Sequence, residues 1–337
     1  MPRASSASES WREMVLRSMP PPAWLDSDAP HGDVVLSSRA RVMRNLKGHR
    51  FPHHASEAEL REILERVVAA AGGGFDVQRH ATQAERDYLV GSRLASHDFR
   101  WNEPGRALLL DQERSRCVMV NEEDHLRVQC LSPGWSIDAA DARVRETLDG
   151  LSQTLDFAWT PAFGYLSASP FNAGEGRRLS AMFHLIGLAQ GKRLPSVLKA
   201  LGARGLAARG LFGESSRAVG AFVQVSISSG TRVEFVGACE YLLREERDAR
   251  SEIGRAVLEE RARQAAEFAI GSRSIGLADA LRVLGWVRWA ASAQLEGFPT
   301  SPREVDRWLT MLEVRGNSNT EVAARDRAAF LRNRVEG

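Results

Sequence analysis

Lysine is nearly missing from this 337-residue chain: of its 45 basic residues only Lys47, Lys192 and Lys199 are lysines. The sequence has no glycine-rich loop ending in the phosphate-binding lysine of a Walker A motif, and it lacks the HRD and DFG motifs of protein kinases. Cysteine is sparse as well. Cys117, Cys130 and Cys239 form no CxxC pair and no zinc-ligand spacing, an odd set that suits a reducing compartment rather than a disulfide scaffold. No basic-apolar-small leader opens the chain, and no apolar run nears the roughly 18 residues that a membrane span requires. A cytoplasmic protein without membrane contact is therefore expected. A net charge of +2 gives no argument for nucleic acid as a partner. At 43% hydrophobic and 26% charged, the composition is that of an ordinary globular protein, with room for one large domain and a smaller one.

What is present begins with a polar, proline-punctuated lead-in over residues 1–30. Ser56 and Glu59 have capping-box spacing, and Leu60, Ile63, Leu64, Val67 and Val68 continue at helical spacing until Gly72-Gly73-Gly74. Strand-like runs follow over 107–110, 117–120 and 125–131, then a helix over about 138–157. Residues 163–168, 179–188 and 222–227 read as further strands, 194–201 as a short helix, and Thr231 with Glu234 caps one long helix to about Ile270. After that the chain reads as helical. Strands joined by short turns, with helices before, between and after them, predict an α+β fold with an antiparallel sheet flanked by helices. The expected division is 1–30 lead-in, 31–256 catalytic domain and 257–337 a small helical domain.

Four polar segments interrupt this pattern and read as chemistry-bearing loops: 37–41, 121–127, 169–178 and 209–214. The second, Asn121-Glu122-Glu123-Asp124-His125-Leu126-Arg127, sets three acids, a histidine and an arginine between two apolar strands. Together the segments supply Arg39, Arg41, Arg127, Arg178 and Arg209, with Glu123 and Glu214. A nucleoside triphosphate carries about four negative charges, and gripping it in a desolvated cleft favours the planar, two-point donors of arginine over lysine. A surface ion pair remains the plain alternative for any single arginine in so arginine-rich a chain. The glycines of Gly174-Glu175-Gly176 suit a close approach to phosphate, a weak signal alone.

In order and spacing, Ser37-Ser38-Arg39-Ala40-Arg41, Asn121 to Arg127, Pro170-x-Asn172-x-Gly174-x-Gly176-x-Arg178 and Arg209-Gly210-x-x-Gly213-Glu214 resemble the phosphagen (guanidino) kinase superfamily, and within it the bacterial McsB-type protein arginine kinases. The resemblance covers about 25–255 strongly and the helical tail loosely. It implies a glutamine-synthetase-like catalytic domain and transfer of the ATP γ-phosphoryl to a guanidinium. It assigns the nucleotide phosphates to Arg39, Arg41, Arg127, Arg178 and Arg209 with Ser37, and the substrate guanidinium to Glu123 and Glu214. Arg93 would lie near the adenine. Magnesium would ride on phosphate oxygens and water, leaving no protein metal site. Protein substrates with exposed arginines, a zinc-binding activator protein, Clp protease machinery and a homodimer are the partners the resemblance suggests.

Two departures qualify it. Ser169 stands where the family has cysteine, and a hydroxyl stays neutral at pH 7 where a thiolate would be charged. Either activity is reduced, or the change is a tolerated polar substitution. At the tail, Arg325-Asp326-Arg327-Ala328 resembles a compressed phosphoarginine-binding motif, which would add Asp326 and Arg327 to Asn172 as substrate contacts; an ordinary terminal helix is the alternative. Only 36 residues precede Ser37, in place of the helical domain that small-guanidine kinases carry there. The expectation is an open site for protein arginine. A kinase for a free guanidino compound and a weakened nucleotide- or phosphoarginine-binding module are the rival readings.

Overall fold

A computed structural model describes residues 7–25, 29–211, 218–227, 231–315 and 319–336. Its strands are β1 (Val35–Arg44), β2 (Asp76–Gln78), β3 (Ala107–Leu110), β4 (Arg116–Val120), β5 (Leu126–Pro133), the hairpin β6 (Trp159–Thr160) and β7 (Gly164–Tyr165), β8 (Arg177–His184), β9 (Leu206–Gly210) and β10 (Phe222–Ile227). Its helices are α1 (Ala7–Ser18), α2 (Glu57–Ala71), α3 (Gln83–Gly91), α4 (Ile137–Ser152), α5 (Ile186–Gln190), α6 (Leu194–Gly202), α7 (Arg232–Ile253), α8 (Arg255–Gly271), α9 (Leu277–Ser292), α10 (Pro302–Met311) and α11 (Thr320–Val335). Among the described residues, eight strands form one sheet in the order β2-β3-β4-β5-β1-β8-β10-β9. Every neighbouring pair in it is antiparallel. The expected α+β architecture is present.

One face of this sheet is apolar from edge to edge. Ala40 and Val42 of β1, Val118 of β4, Val128 of β5, Leu179 of β8 and Val223 and Val225 of β10 share a core with Ile63 and Val67 of α2, Val144 and Leu151 of α4, and Phe235 and Leu242 of α7. The other face is divided. Leu131, Met182 and Phe222 pack against the N-terminal Trp24 and Leu25 and against Leu284, Val287 and Leu331 of the C-terminal helices. The C-terminal helices therefore share a core with the sheet itself. Polar contacts bolt them to the start of β1. Arg288, fully buried on α9, donates to the carbonyls of Gly32 (2.8 Å) and Asp33 (2.9 Å) and pairs with Asp306 at 2.7 Å. Arg303 of α10 donates to Leu36 O at 2.7 Å.

Several local expectations are corrected. The long helix from Thr231 is two helices, broken at Gly254, whose φ of +81° lies in the left-handed region that favours glycine. Residues 179–188 hold the end of β8 and then α5 rather than one strand. One of the four expected loops is strand throughout, and the others run into a strand at one end. Ser37–Arg41 lies within central β1, Arg177 and Arg178 open β8, and Arg209 lies on edge strand β9. No helix among the described residues is long and apolar enough to cross a membrane.

Candidate functional site

Side chains alternate across a strand, so residues paired across antiparallel neighbours share a face. Arg41 pairs with Gln129 on β5 and with Arg178 on β8, and Met43 pairs with Arg127. Arg39 pairs with Ser180, Ser226 of β10 also pairs with Ser180, and Gln224 pairs with Arg209. Arg39, Arg41, Arg127, Arg178 and Arg209 therefore occupy one face of one sheet, spread over four strands, with Ser37 at its far end.

This face concentrates positive charge where water is scarce. Arg39 donates to Ser180 Oγ (3.3 Å) and Gln224 Oε1 (2.7 Å), neutral partners that orient the guanidinium without cancelling its charge. Burial first, then Arg127 and Arg93, hold its pKa down to about 9. Arg41 is depressed further by burial and then by Arg39, Arg127 and Arg178. Arg178, whose Nε donates to Ile227 O at 3.0 Å, is lowered by burial and then by Arg209 and Arg127. The Nε atoms of Arg41 and Arg127 are buried with no hydrogen-bond partner among the described residues, as is Ser37 Oγ. A guanidinium does not surrender its proton near neutrality. The consequence is a face whose free energy falls when an anion with several acceptor oxygens settles on it.

The acids stand at one end of the face, in the turn between β4 and β5. Asn121 opens that turn at a φ of +57°, and its amide donates to Leu60 O (2.9 Å) and Gly105 O (2.6 Å). Glu122 meets Arg127 through both carboxylate oxygens at 3.0 Å and accepts from Ser96. Burial raises its pKa, but Arg127, Ser96 and Arg41 outweigh that and leave it lowered. Glu123 has the opposite balance. It is half-buried, makes no hydrogen bond or ion pair among the described residues, and its pKa is raised by burial and then by the charges of Asp124 and Glu122. One acid is spent on holding an arginine. The other is kept basic and free.

Asp124, fully buried, accepts from Asn45 Nδ2 (2.6 Å), Ser167 Oγ (2.7 Å) and Ala168 N (2.7 Å). It fastens the segment that leads into Ser169 to the residue beside Glu123. Ser169 N in turn donates to Ser167 Oγ at 3.3 Å, and Asn172 follows in a single 3-10 turn. Asn172, Arg178 and Ile227 line one small cleft of about 100 Å³. His125 accepts from Leu46 N (3.0 Å) at Nδ1, which places its proton on Nε2, 2.8 Å from Arg50 O. Its role is to position the turn.

Arg93 does reach the arginine face: its carbonyl accepts from Gln129 Nε2 at 2.8 Å, and its charge is felt at Arg39. Burial lowers its pKa to about 10. Its guanidinium stacks 4.7 Å from the Trp24 ring centroid, so that face of the cation is already covered by the protein. Asp326 and Arg327 lie on α11. Arg327 is buried and committed, with Nη1 2.6 Å from Glu313 and Nε 3.0 Å from Ile275 O. Glu214 lies outside the described residues. Glu122, Asp124 and Asn45 were given no role from sequence; Glu122 and Asp124 stood only as members of the 121–127 motif, and Asn45 as a member of Arg44-Asn45-Leu46 at the end of β1.

Residues 60–231 match the model of the ATP:guanido phosphotransferase C-terminal catalytic domain. The chain belongs to the ATP:guanido phosphotransferase family. Within the family it is 32% identical over 332 residues to the protein-arginine kinase of Pelotomaculum thermopropionicum, covering 92% of each chain. It is 34% identical over 292 residues to that of Moorella thermoacetica, covering 81% of this chain and 83% of the relative. Among solved structures lombricine kinase shares the fold, with a TM-score of 0.57 at 20% identity over 71% of this chain and 77% of that one.

Proposed function

We propose that this ATP:guanido phosphotransferase acts on arginine side chains of proteins, transferring to them the γ-phosphoryl of ATP. The observation that carries this reading is the shared face of Arg39, Arg41, Arg127, Arg178 and Arg209, ending at a free, basic Glu123. The arginine face binds the triphosphate and spreads the charge that develops during transfer. Glu123 pairs with the substrate guanidinium and takes a proton as the terminal nitrogen attacks the γ-phosphorus. The N–P bond forms, the bond to the β-phosphate oxygen breaks, and ADP leaves. Glu214 is the second acid of this proposal, and Ser169 is its polar group near the substrate guanidinium.

The fit to magnesium is through the nucleotide. Among the described residues no group of three or more His, Cys, Asp or Glu converges, whereas the arginine face suits phosphate oxygens that could carry the ion. Magnesium bound there would neutralise phosphate charge and hold the leaving group in line. The wider setting belongs to the same proposal and draws on the family resemblance: the cytoplasm, a homodimer, a zinc-binding activator and delivery of marked proteins to Clp-type proteases.

The test is incubation with ATP, magnesium and an arginine-rich protein, and separately with free arginine, followed by assay of acid-labile phosphate. Label on the protein is expected. Label on free arginine alone would make this a small-guanidine kinase, and label on neither would refute the proposal.

A further inference from the structure

The segment between Ser167 and Arg178 carries more than polar groups. Phe171 follows Pro170 in the 3-10 turn and is 93% exposed, the most exposed large apolar side chain among the described residues. Its neighbour is the β6–β7 hairpin, which presents Phe163 at 69% and Trp159 at 56% exposure. The two backbones are joined: Tyr165 N donates to Gly174 O at 2.9 Å and Gly174 N to Tyr165 O at 3.0 Å. Arg44 pins both, stacking 3.5 Å over the Tyr165 ring centroid and donating to Glu175 O at 2.8 Å. Aromatic rings on a scaffold this well tied lose little freedom on contact, the quality that makes an aromatic anchor effective in recognition.

The position of the patch says what meets it. Phe171 lines the same small cleft as Asn172 and Arg178. Through Ser167 and Ala168 its segment hangs from Asp124, the residue next to Glu123. The rings thus stand outside the acid end of the site. A free arginine engaged at Glu123 is too short to need them. A polypeptide must pass over that rim to deliver an arginine side chain.

We infer that Phe171, with Phe163 of the joined hairpin, is the contact for the residues flanking the target arginine and favours arginines with apolar neighbours in protein substrates. This rests on the protein-arginine reading above and names its preference. Phe171 touches no reacting atom in this account. It contributes binding that is equal in the ground and transition states, which changes KM and leaves kcat alone.

The experiment compares wild type, Phe171→Ser and the double variant Phe163→Ser/Phe171→Ser on free arginine, a peptide with glycines around one arginine, and a peptide with leucines around it. For the leucine-flanked peptide, Phe171→Ser should raise KM about tenfold at unchanged kcat, and the double variant should raise it further. Free arginine and the glycine peptide should be handled as by wild type. Equal effects on every acceptor, or none on the leucine peptide, would overturn the inference while peptide labelling still upheld the proposed function. A rise in KM for ATP would give the ring to the nucleotide base and overturn it as well. If wild type labelled no peptide, the functional reading would fail and this one with it.

Discussion

Arg41 and Arg178 are direct cross-strand partners near the middle of an antiparallel sheet, two guanidiniums side by side on one face. Like charges in that relationship repel, and burial deepens the cost. Glu122 pairs with Arg127, whereas Arg39 is oriented by the neutral Ser180 and Gln224. An arrangement that weakens the fold and improves the site is what a bound polyanion would reward.

Arg41→Gln should therefore raise the stability of the ligand-free protein by about 0.5–1 kcal/mol, the size of an unfavourable cross-strand pair. It should also abolish stabilisation by ATP, which for wild type at a hundred times Kd is about 2.7 kcal/mol. Thermal melts with and without ATP read both quantities. A variant that melts below wild type and still gains from ATP contradicts the assignment.

Under the proposed function, Glu123 should set the acid limb of activity. Its pKa lies above the ordinary value of 4.5 because burial, then Asp124 and Glu122, disfavour its charge. Below that raised pKa the carboxyl is protonated and cannot accept the guanidinium proton. Single-turnover rates should fall toward acid pH sooner than for an unperturbed glutamate. The linkage sign follows: the folded state holds this proton more tightly, so stability from Glu123 is lost as pH rises through the window, and Glu123→Gln should melt no lower than wild type at neutral pH. The same variant should lose about 10²–10⁴-fold in rate and keep nucleotide binding. A residual rate above about a tenth of wild type would remove Glu123 from the mechanism.

Ser169→Cys should increase turnover. The segment is anchored beside Glu123 through Asp124, and a thiolate there adds negative charge next to the substrate cation. An opposite charge within about 4–6 Å lowers a thiol pKa by about 1–3 units, enough to ionise it near neutrality. The gain should grow from pH 6 to 8. A flat profile identical to wild type would mean that position 169 does not face the guanidinium.

Arg327→Ala should destabilise the protein by about 1–3 kcal/mol, since it strands the Ile275 carbonyl while Glu313 keeps Arg315 as its ionic partner. Asp326→Ala should be near neutral in a denaturant titration. If Arg327→Ala leaves stability intact and lowers phosphoarginine affinity instead, the tail carries a binding site.

The sequence named candidate site residues more fully than it located the strands that carry them. Hydrophobic periodicity found α2, α4, β3, β4 and β10 because their buried faces are apolar. It failed at β1 and β9, where arginines replace the apolar residues that a central or edge strand would present. Ser37-Ser38-Arg39-Ala40-Arg41 reads as a loop because serines and arginines interrupt the apolar pattern of a buried strand, a conflict of the kind expected at functional sites. The break at Gly254 was hidden by helical spacing on both sides. The C-terminal helices read as a separate unit because their apolar faces match a sheet face assembled from distant strands, a pairing no local pattern contains. Glu122 was passed over since a carboxylate that neutralises Arg127 and one that activates a substrate look alike in sequence.

The central claim is that these arginines hold phosphate by planar, two-point contact rather than by charge alone. Single-turnover phosphorylation at saturating ATP for Arg127→Lys and Arg178→Lys tests it, with Arg61→Lys as control. Arg61 is an exposed i,i+4 partner of Glu57 at 3.1 Å, a pair worth about 0–1 kcal/mol that tolerates lysine. The account predicts losses of about 10²–10³-fold for Arg127→Lys and Arg178→Lys, or roughly 3–4 kcal/mol each, against a near-normal control. Rates for all three within a factor of about three of wild type would contradict it and leave the arginine face without its chemistry.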